Sequence, residues 1–163
     1  MDIAIISDTH IPSRASAIPD RFRELIADAD HVVHAGDFDS KGTLADLQDL
    51  SAELTAVAGN MDPRVGLPEV ATVELGGVEF VITHGTGPRR GYEGRVAAAV
   101  EEHATSERAV GVAGHTHEPL DTRHEGVRLL NPGSVTGASP AKRPTMMTAT
   151  AAEGDLSIEV QEL

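Results

Sequence analysis

Five short apolar runs in this chain each stop at a polar cluster rich in Asp, Asn or His, and that repeated phrase limits the fold more than any other feature. "DIAII" leads to "SDTH" (residues 7–10), "HVVHA" to "GDFD" (36–39) and "ELTAVA" to "GNMD" (59–62). "VEFVIT" leads to "HG" (84–85) and "AVGVA" to "GHTH" (114–117). Apolar runs of this length, bounded by glycine and polar residues, read as buried strands. Between the first two, "PDRFRELIADAD" carries Phe22, Leu25, Ile26 and Ala29 at helical spacing behind Pro19. Ser40 stands where it would cap a second amphipathic helix bearing Leu44 and Leu47. "VATVEL" and "VEFVIT" flank two glycines and read as a hairpin, because glycine tolerates the positive φ of a tight turn. A helix is expected near 93–104. From residue 109 strands dominate: "AVGVA", a pair joined near "HEG", the "NPGS" turn, and "TMMTATAA" with "LSIEVQEL" joined near "EGD". At 163 residues this is the length of one domain, of α/β class with a strand-rich second half.

The polar clusters all follow the carboxyl ends of strand-like runs, the edge at which open α/β sheets bind ligands. Loops there would gather seven side chains that are distant in sequence: Asp8, His10, Asp37, Asn60, His84, His115 and His117. Carboxylate, carboxamide and imidazole without sulfur suit divalent transition metals such as Mn, Fe, Ni, Co or Zn, whereas calcium prefers oxygen alone. The i, i+2 spacing of Asp8/His10 and His115/His117, in extended backbone, would point both members of each pair the same way. Segment 85–95, rich in Pro, Gly and Arg, is the best candidate for a mobile loop.

"DTH", "GDFD", "GNMD", "HG" and "GHTH", in this order over residues 8–117 and extended by "NPGS" at 131–134, resemble the calcineurin-like metallophosphoesterase superfamily. The likeness is to its small bacterial and archaeal YfcE-like phosphodiesterases in particular. Each motif is weak alone; the ordered set is specific. The resemblance implies a four-layer αββα sandwich, two mixed sheets between helices, with two metal ions at the strand ends, manganese first and nickel, iron, zinc or cobalt as alternatives. Asp8, His10 and His117 would hold one ion and Asn60, His84 and His115 the other, with Asp37 bridging; Asp37, Asn60 and His115 would carry the chemistry. It implies a phosphoric diester hydrolase in which a metal-bridging hydroxide attacks a small phosphodiester in line. The inner shell would then keep one net positive charge, which a phosphodiester monoanion neutralises. Two alternatives stand: a non-catalytic interaction scaffold resembling the small subunit of retromer, and a phosphomonoesterase or nucleotide pyrophosphohydrolase using the same site. The intact ligand set speaks against the scaffold. Met61 is a departure, since many relatives have a histidine there and the YfcE-like branch often has cysteine.

Charge narrows the partners. There are 26 acidic against 13 basic residues, a net charge of -13, and Lys41 and Lys142 are the only lysines. Such a surface repels polyanions, and 2% aromatics offer no platform for stacking bases, so a long nucleic acid is not an expected partner. A small anion at a metal site is unaffected, and a homo-oligomer is compatible with the sequence. Acidity with scarce lysine reads as adaptation to a salty cytoplasm. Cysteine is absent, which excludes disulfides and thiolate sites and suits a reducing interior; neither a signal peptide nor a membrane-length apolar run is seen, so a cytoplasmic protein is expected. His31, His103 and His124 lack motif support and read as surface or satisfied histidines. His34 reads as either core or a support for the site. Arg89 and Arg90 read first as solvated surface groups.

Overall fold

The computed structural model describes residues 1–163. In chain order the elements are β1 (Asp2–Ile6), α1 (Asp20–Asp28), β2 (His31–His34), α2 (Lys41–Leu50), β3 (Leu54–Ala56), β4 (Val70–Leu75) and β5 (Val78–Thr83). They continue with α3 (Tyr92–His103), β6 (Val110–Val112), β7 (Pro119–His124), β8 (Val127–Pro132), β9 (Thr145–Ala152) and β10 (Asp155–Glu162). One mixed sheet has the order β10-β9-β1-β2-β3 and the other β4-β5-β6-β8-β7. Strands β1, β2 and β3 are parallel to one another, as are β5, β6 and β8.

Alternation along the strands builds the layers. Ile3 and Ile5 of β1 face the second sheet and join Phe80, Ile82, Val112, Leu130 and Met147 in a core between the sheets. Ala4 and Ile6 point the other way, onto Phe22 and Ile26 of α1 and Leu47 of α2. On the far face of the second sheet, Val96 and Val100 of α3 pack on Leu129 and Val81. Burying each large apolar side chain stabilises by roughly 1.5–3 kcal/mol relative to exposure. The result is the four-layer sandwich. Ser40 caps α2 by accepting the Thr43 N–H at 3.1 Å. Two tight turns, Gly76–Gly77 and Glu153–Gly154, have positive φ throughout, and the Gly154 N–H donates to Gly76 O at 3.0 Å, linking one sheet to the other. No helix is long and apolar enough to cross a membrane.

Segment 85–95 differs from the expected mobile loop. Residues from Tyr92 onward belong to α3, and the Arg95 guanidinium donates to the carbonyls of Gly85, Pro88 and Arg90 at 3.3, 2.7 and 3.1 Å. The loop is tied down by a side chain one helical turn beyond it.

Candidate metal centre

The loops after β1, β2, β3, β5 and β6 leave the carboxyl ends of their strands and are joined to one another by hydrogen bonds. Their backbone is not extended at the motif pairs, contrary to expectation. Eight non-glycine residues have positive φ, and six of them are here: Asp8 (52°), His10 (47°), Asp37 (64°), Asp39 (80°), His115 (73°) and His117 (63°). Left-handed backbone costs roughly 1–2 kcal/mol per residue, so the chain stores strain at this one place, and such strain persists only where surrounding bonds fix it. Several bonds do so. Asp8 N–H donates to Gly36 O and His10 N–H to Asp37 O, both at 3.0 Å. The Asp62 carboxylate accepts the N–H groups of Asp37, Asp39 and Gly59 at 2.8, 2.9 and 2.8 Å.

Each site carboxylate divides its oxygens between structure and site. Asp8 Oδ2 accepts the Ser7 hydroxyl at 2.8 Å and the His115 N–H at 3.0 Å, which leaves Oδ1 buried with no hydrogen-bond partner. Asp37 Oδ1 accepts the Met61 N–H at 2.9 Å and leaves Oδ2 for the imidazoles. The histidines are divided in the same way. His10 Nδ1 donates to Asp39 Oδ1 at 2.9 Å, His84 Nδ1 to Ala35 O at 2.7 Å and His117 Nδ1 to Ala138 O at 2.8 Å. Carbonyl and carboxylate oxygens only accept, so each of these three rings presents Nε2 to the centre. His115 is reversed: Nε2 donates to Gly87 O at 2.9 Å, which leaves the lone pair on Nδ1.

The inward atoms crowd together. Asp8 Oδ1 lies 3.6 Å from His10 Nε2, 3.3 Å from His117 Nε2 and 3.8 Å from His84 Nε2. Asp37 Oδ2 lies 3.1 Å from His84 Nε2 and 3.6 Å from His10 Nε2. His10 and His117 face each other, Nε2 to Nε2, at 3.2 Å. Within each of two groups, Asp8/His10/His117 and Asp8/Asp37/His84, the ligand atoms lie within 4.8 Å of one another. His84 Nε2 is buried and unpartnered. Nitrogen lone pairs aimed at carboxylates and at each other repel unless a cation lies between them, and orphaned buried polar atoms are costly. Oxygen and imidazole donors without sulfur fit a borderline divalent metal.

Protons do the neutralising when metal is absent. Burial pushes the His84 imidazole down, but the Asp37 carboxylate 3.1 Å away and the charge of Asp8 carry it up to about 9. His10 is raised against burial by Asp8, Asp39 and Asp37. Burial likewise opposes ionisation of Asp8, yet His10, His117 and His84 hold its carboxyl far below the ordinary range. Asp37 is lowered against burial by His84 and the Met61 N–H. Burial and the charge on His84 lower His115.

The structure thus gathers Asp8, His10, Asp37, His84 and His117 into one buried cluster. His115, half-buried, stands at its mouth with its ring 5.2 Å from that of His84 and at 79° to it. Asn60 is exposed and lines a hollow of about 390 Å³ together with His84, Glu69, Thr86 and Arg95. A hollow of equal volume, against α1, β9 and β10, is lined by none of the seven residues. His34 is buried, bonding Thr9 Oγ1 through Nε2 and accepting the Gly36 N–H, so it braces two site loops. His31 bonds Thr55 Oγ1 at the sheet edge, and His103 is exposed. Arg89 pairs with Glu118 at 2.9 Å on the surface.

Sequence reasoning missed the supports. Asp39, which orients His10, was available as the second acid of "GDFD". Asn131 and Ser134 of "NPGS" do more than turn the chain. Asn131 Nδ2 donates to Gly114 O at 3.1 Å and the Ser134 hydroxyl to Asp8 O at 2.7 Å, while Tyr92 also reaches Gly114 O at 2.7 Å.

Comparison with known proteins agrees with this geometry. The family model for the calcineurin-like phosphoesterase superfamily domain matches residues 1–154. A protein of Methanothermobacter thermautotrophicus named "Probable metallophosphoesterase" is 37% identical over 138 residues, 83% of this chain and 78% of that one. Among solved structures, Vps29 from Chaetomium thermophilum superposes with a TM-score of 0.83 at 21% identity, covering 100% of this chain and 97% of that one. Wild-type Vps29 from Entamoeba histolytica, complexed with zinc, superposes with a TM-score of 0.76 at 26% identity, covering 99% of each chain.

Proposed function

The chain belongs to the calcineurin-like phosphoesterase superfamily, and from that premise we propose that it is a dinuclear metal-dependent phosphodiesterase acting on small phosphodiesters. One observation carries the reading: two buried, unpartnered ligand atoms, Asp8 Oδ1 and His84 Nε2, lie inside a cluster of carboxylates and imidazoles whose outward-facing atoms, Asp8 Oδ2, Asp37 Oδ1 and Nδ1 of His10, His84 and His117, are each held by a hydrogen bond. The zinc in a relative of the same fold is consistent with it. Asp8, His10 and His117 would hold one ion, and His84, His115 and Asn60 the other, with Asp37 shared; manganese is the first choice. Two such cations supply Lewis acidity, which makes water acidic near neutral pH and offsets the charge of a phosphate.

The rest is the work of the chain. Asp8 and Asp37 are ionised and fixed before substrate arrives, so no reorganisation is needed at the moment of reaction. His115 and Asn60 stand at the mouth, where a phosphate must enter. The hollow beside them is the size of a small molecule and suits the unattacked substituent of a short diester. Met61, 47% exposed next to Asn60, has no proton to give a departing alkoxide.

The test is hydrolysis by metal-reconstituted protein across aryl and alkyl diesters, monoesters and nucleotides. The highest kcat/KM should fall on diesters. Monoesters or nucleotides ahead of diesters would reassign the substrate. The likeness to Vps29 along the whole chain favours a second reading, an interaction scaffold, and metal-loaded protein with no hydrolysis on any substrate would select it.

A further inference from the structure

We propose that Arg95, on the first turn of α3 and outside every motif, is a positioning residue that sets His115 through the loop 85–91. Its guanidinium gathers three carbonyls of that loop, those of Gly85, Pro88 and Arg90, at 3.3, 2.7 and 3.1 Å. Gly87 lies against the same group: a Cβ there would stand 2.9 Å from Arg95 Cζ, and its φ of 131° is one that side-chain-bearing residues rarely adopt. While the carbonyls of Gly85 and Pro88 on either side turn to Arg95, the Gly87 carbonyl accepts His115 Nε2–H at 2.9 Å.

That bond decides which nitrogen of His115 is free. Its backbone is already fixed by donation to Asp8 Oδ2 at 3.0 Å. Only the ring remains to be set, and a carbonyl on Nε2 leaves the lone pair on Nδ1. Outer partners of this kind fix the tautomer and orientation of histidine ligands, and their loss typically costs 10- to 100-fold in metal affinity. A guanidinium suits the task because its planar fork reaches several carbonyls at once, which a lysine cannot do. The inference rests on the dinuclear reading only for its consequence in metal binding.

The experiment uses Arg95→Met and Arg95→Lys, with Arg89→Met as a control for loss of charge in the same loop. In metal-free protein, nitrogen–proton correlation spectra of the imidazoles should show His115 protonated at Nε2 alone. In Arg95→Met the two ring nitrogens should become averaged, while His10, His84 and His117 keep the parental pattern. In zinc titrations, one of two binding events should lose about tenfold or more in affinity, with the other within about twofold of the parent. Arg95→Lys should fall between the two, and Arg89→Met should match the parent. A parental His115 pattern in Arg95→Met overturns the proposal, and so does disturbance of all four imidazoles, which marks a general packing role. If the parent itself binds one zinc, the dinuclear reading falls and the spectra still judge Arg95.

Discussion

His84 holds a proton in the metal-free protein only because Asp37 and Asp8 face it. Its folded pKa of about 9 lies above the ordinary value of 6.5, so the stabilisation is complete below that ordinary value and is lost as pH climbs through about 9. Between about pH 7 and about pH 9.5 the stability of chelated protein should therefore fall by an amount on the order of 3 kcal/mol, and its Tm with it. Zinc-loaded protein should fall much less, because the metal takes the lone pair and expels the proton on binding. Melts with and without chelator measure this, and a flat curve for the chelated protein would show that His84 carries no proton there. Asp37→Asn keeps an oxygen for the Met61 N–H but deletes the negative charge facing His84 and His10. It should reduce bound metal from two ions to one or none and lower kcat/KM by about a hundredfold or more. Metal analysis showing two ions at the parental rate would contradict the shared role of Asp37. At Met61 the test is the leaving group: aryl diesters should react far faster than alkyl diesters, and Met61→His should narrow the gap, a general acid being worth roughly 10² to 10⁴ in rate. A plot of log kcat/KM against leaving-group pKa that is shallow in the parent would reveal an acid elsewhere.

The loops at the strand ends show what a linear sequence records. The order of the five clusters, the spacing of Phe22 and Ile26 on α1, and the Ser40 cap are local, and each was legible. The left-handed backbone at Asp8 or His115 was not, because it is imposed by bonds from far away in sequence: Gly36 O to Asp8, Asp8 Oδ2 to His115. Asp62 closes its own turn by accepting the Gly59 N–H, and its carboxylate also fixes Asp37 and Asp39 in the preceding site loop. Segment 85–95 reads as a mobile loop from its Pro, Gly and Arg content, and the bonds that its carbonyls make to Arg95 are not legible there, because they depend on how α3 is placed. Gly114 makes the same point at the end of β6. A Cβ there would collide with Ser7 Oγ and lie 2.6 Å from Asp8 Oδ2. Gly114→Ala should thus push the β1 loop away from the GHTH loop, costing about 1–3 kcal/mol in stability and weakening zinc affinity about tenfold or more. Calorimetric zinc titration checks the second effect, and parental affinity would show that the two loops separate without moving Asp8.

The candidate metal centre straddles the two halves of the molecule: Asp8, His10 and Asp37 come from the β10-β9-β1-β2-β3 sheet, and His84, His115 and His117 from the other. Metal bound there would add to the apolar core between the sheets, since ligands that bind only the folded state stabilise it by mass action. Against this works the net charge of -13. Exposed ion pairs relieve little of it: Arg21–Glu24, Arg23–Asp46, Arg89–Glu118, Arg128–Asp121 and Arg143–Glu162 engage five of the 26 acidic residues. Most of the others have no cationic partner, so repulsion among them outweighs the attraction within the pairs. Salt weakens both. Each surface pair is worth about 0–1 kcal/mol, so their loss on screening is small, while relief of the unpaired excess is the larger effect. As KCl rises from about 0.01 M to about 1 M, the Debye length shortens from about 30 Å to about 3 Å, and the Tm should climb across that whole range. Chloride is the anion to use, since sulfate would strengthen apolar burial on its own account. The series is best run on chelated protein, where no metal affinity changes with ionic strength. A Tm that stays level or declines from low salt to molar KCl would mean that self-repulsion does not limit this fold, and the reading of its acidity as adaptation to a salty interior would go with it.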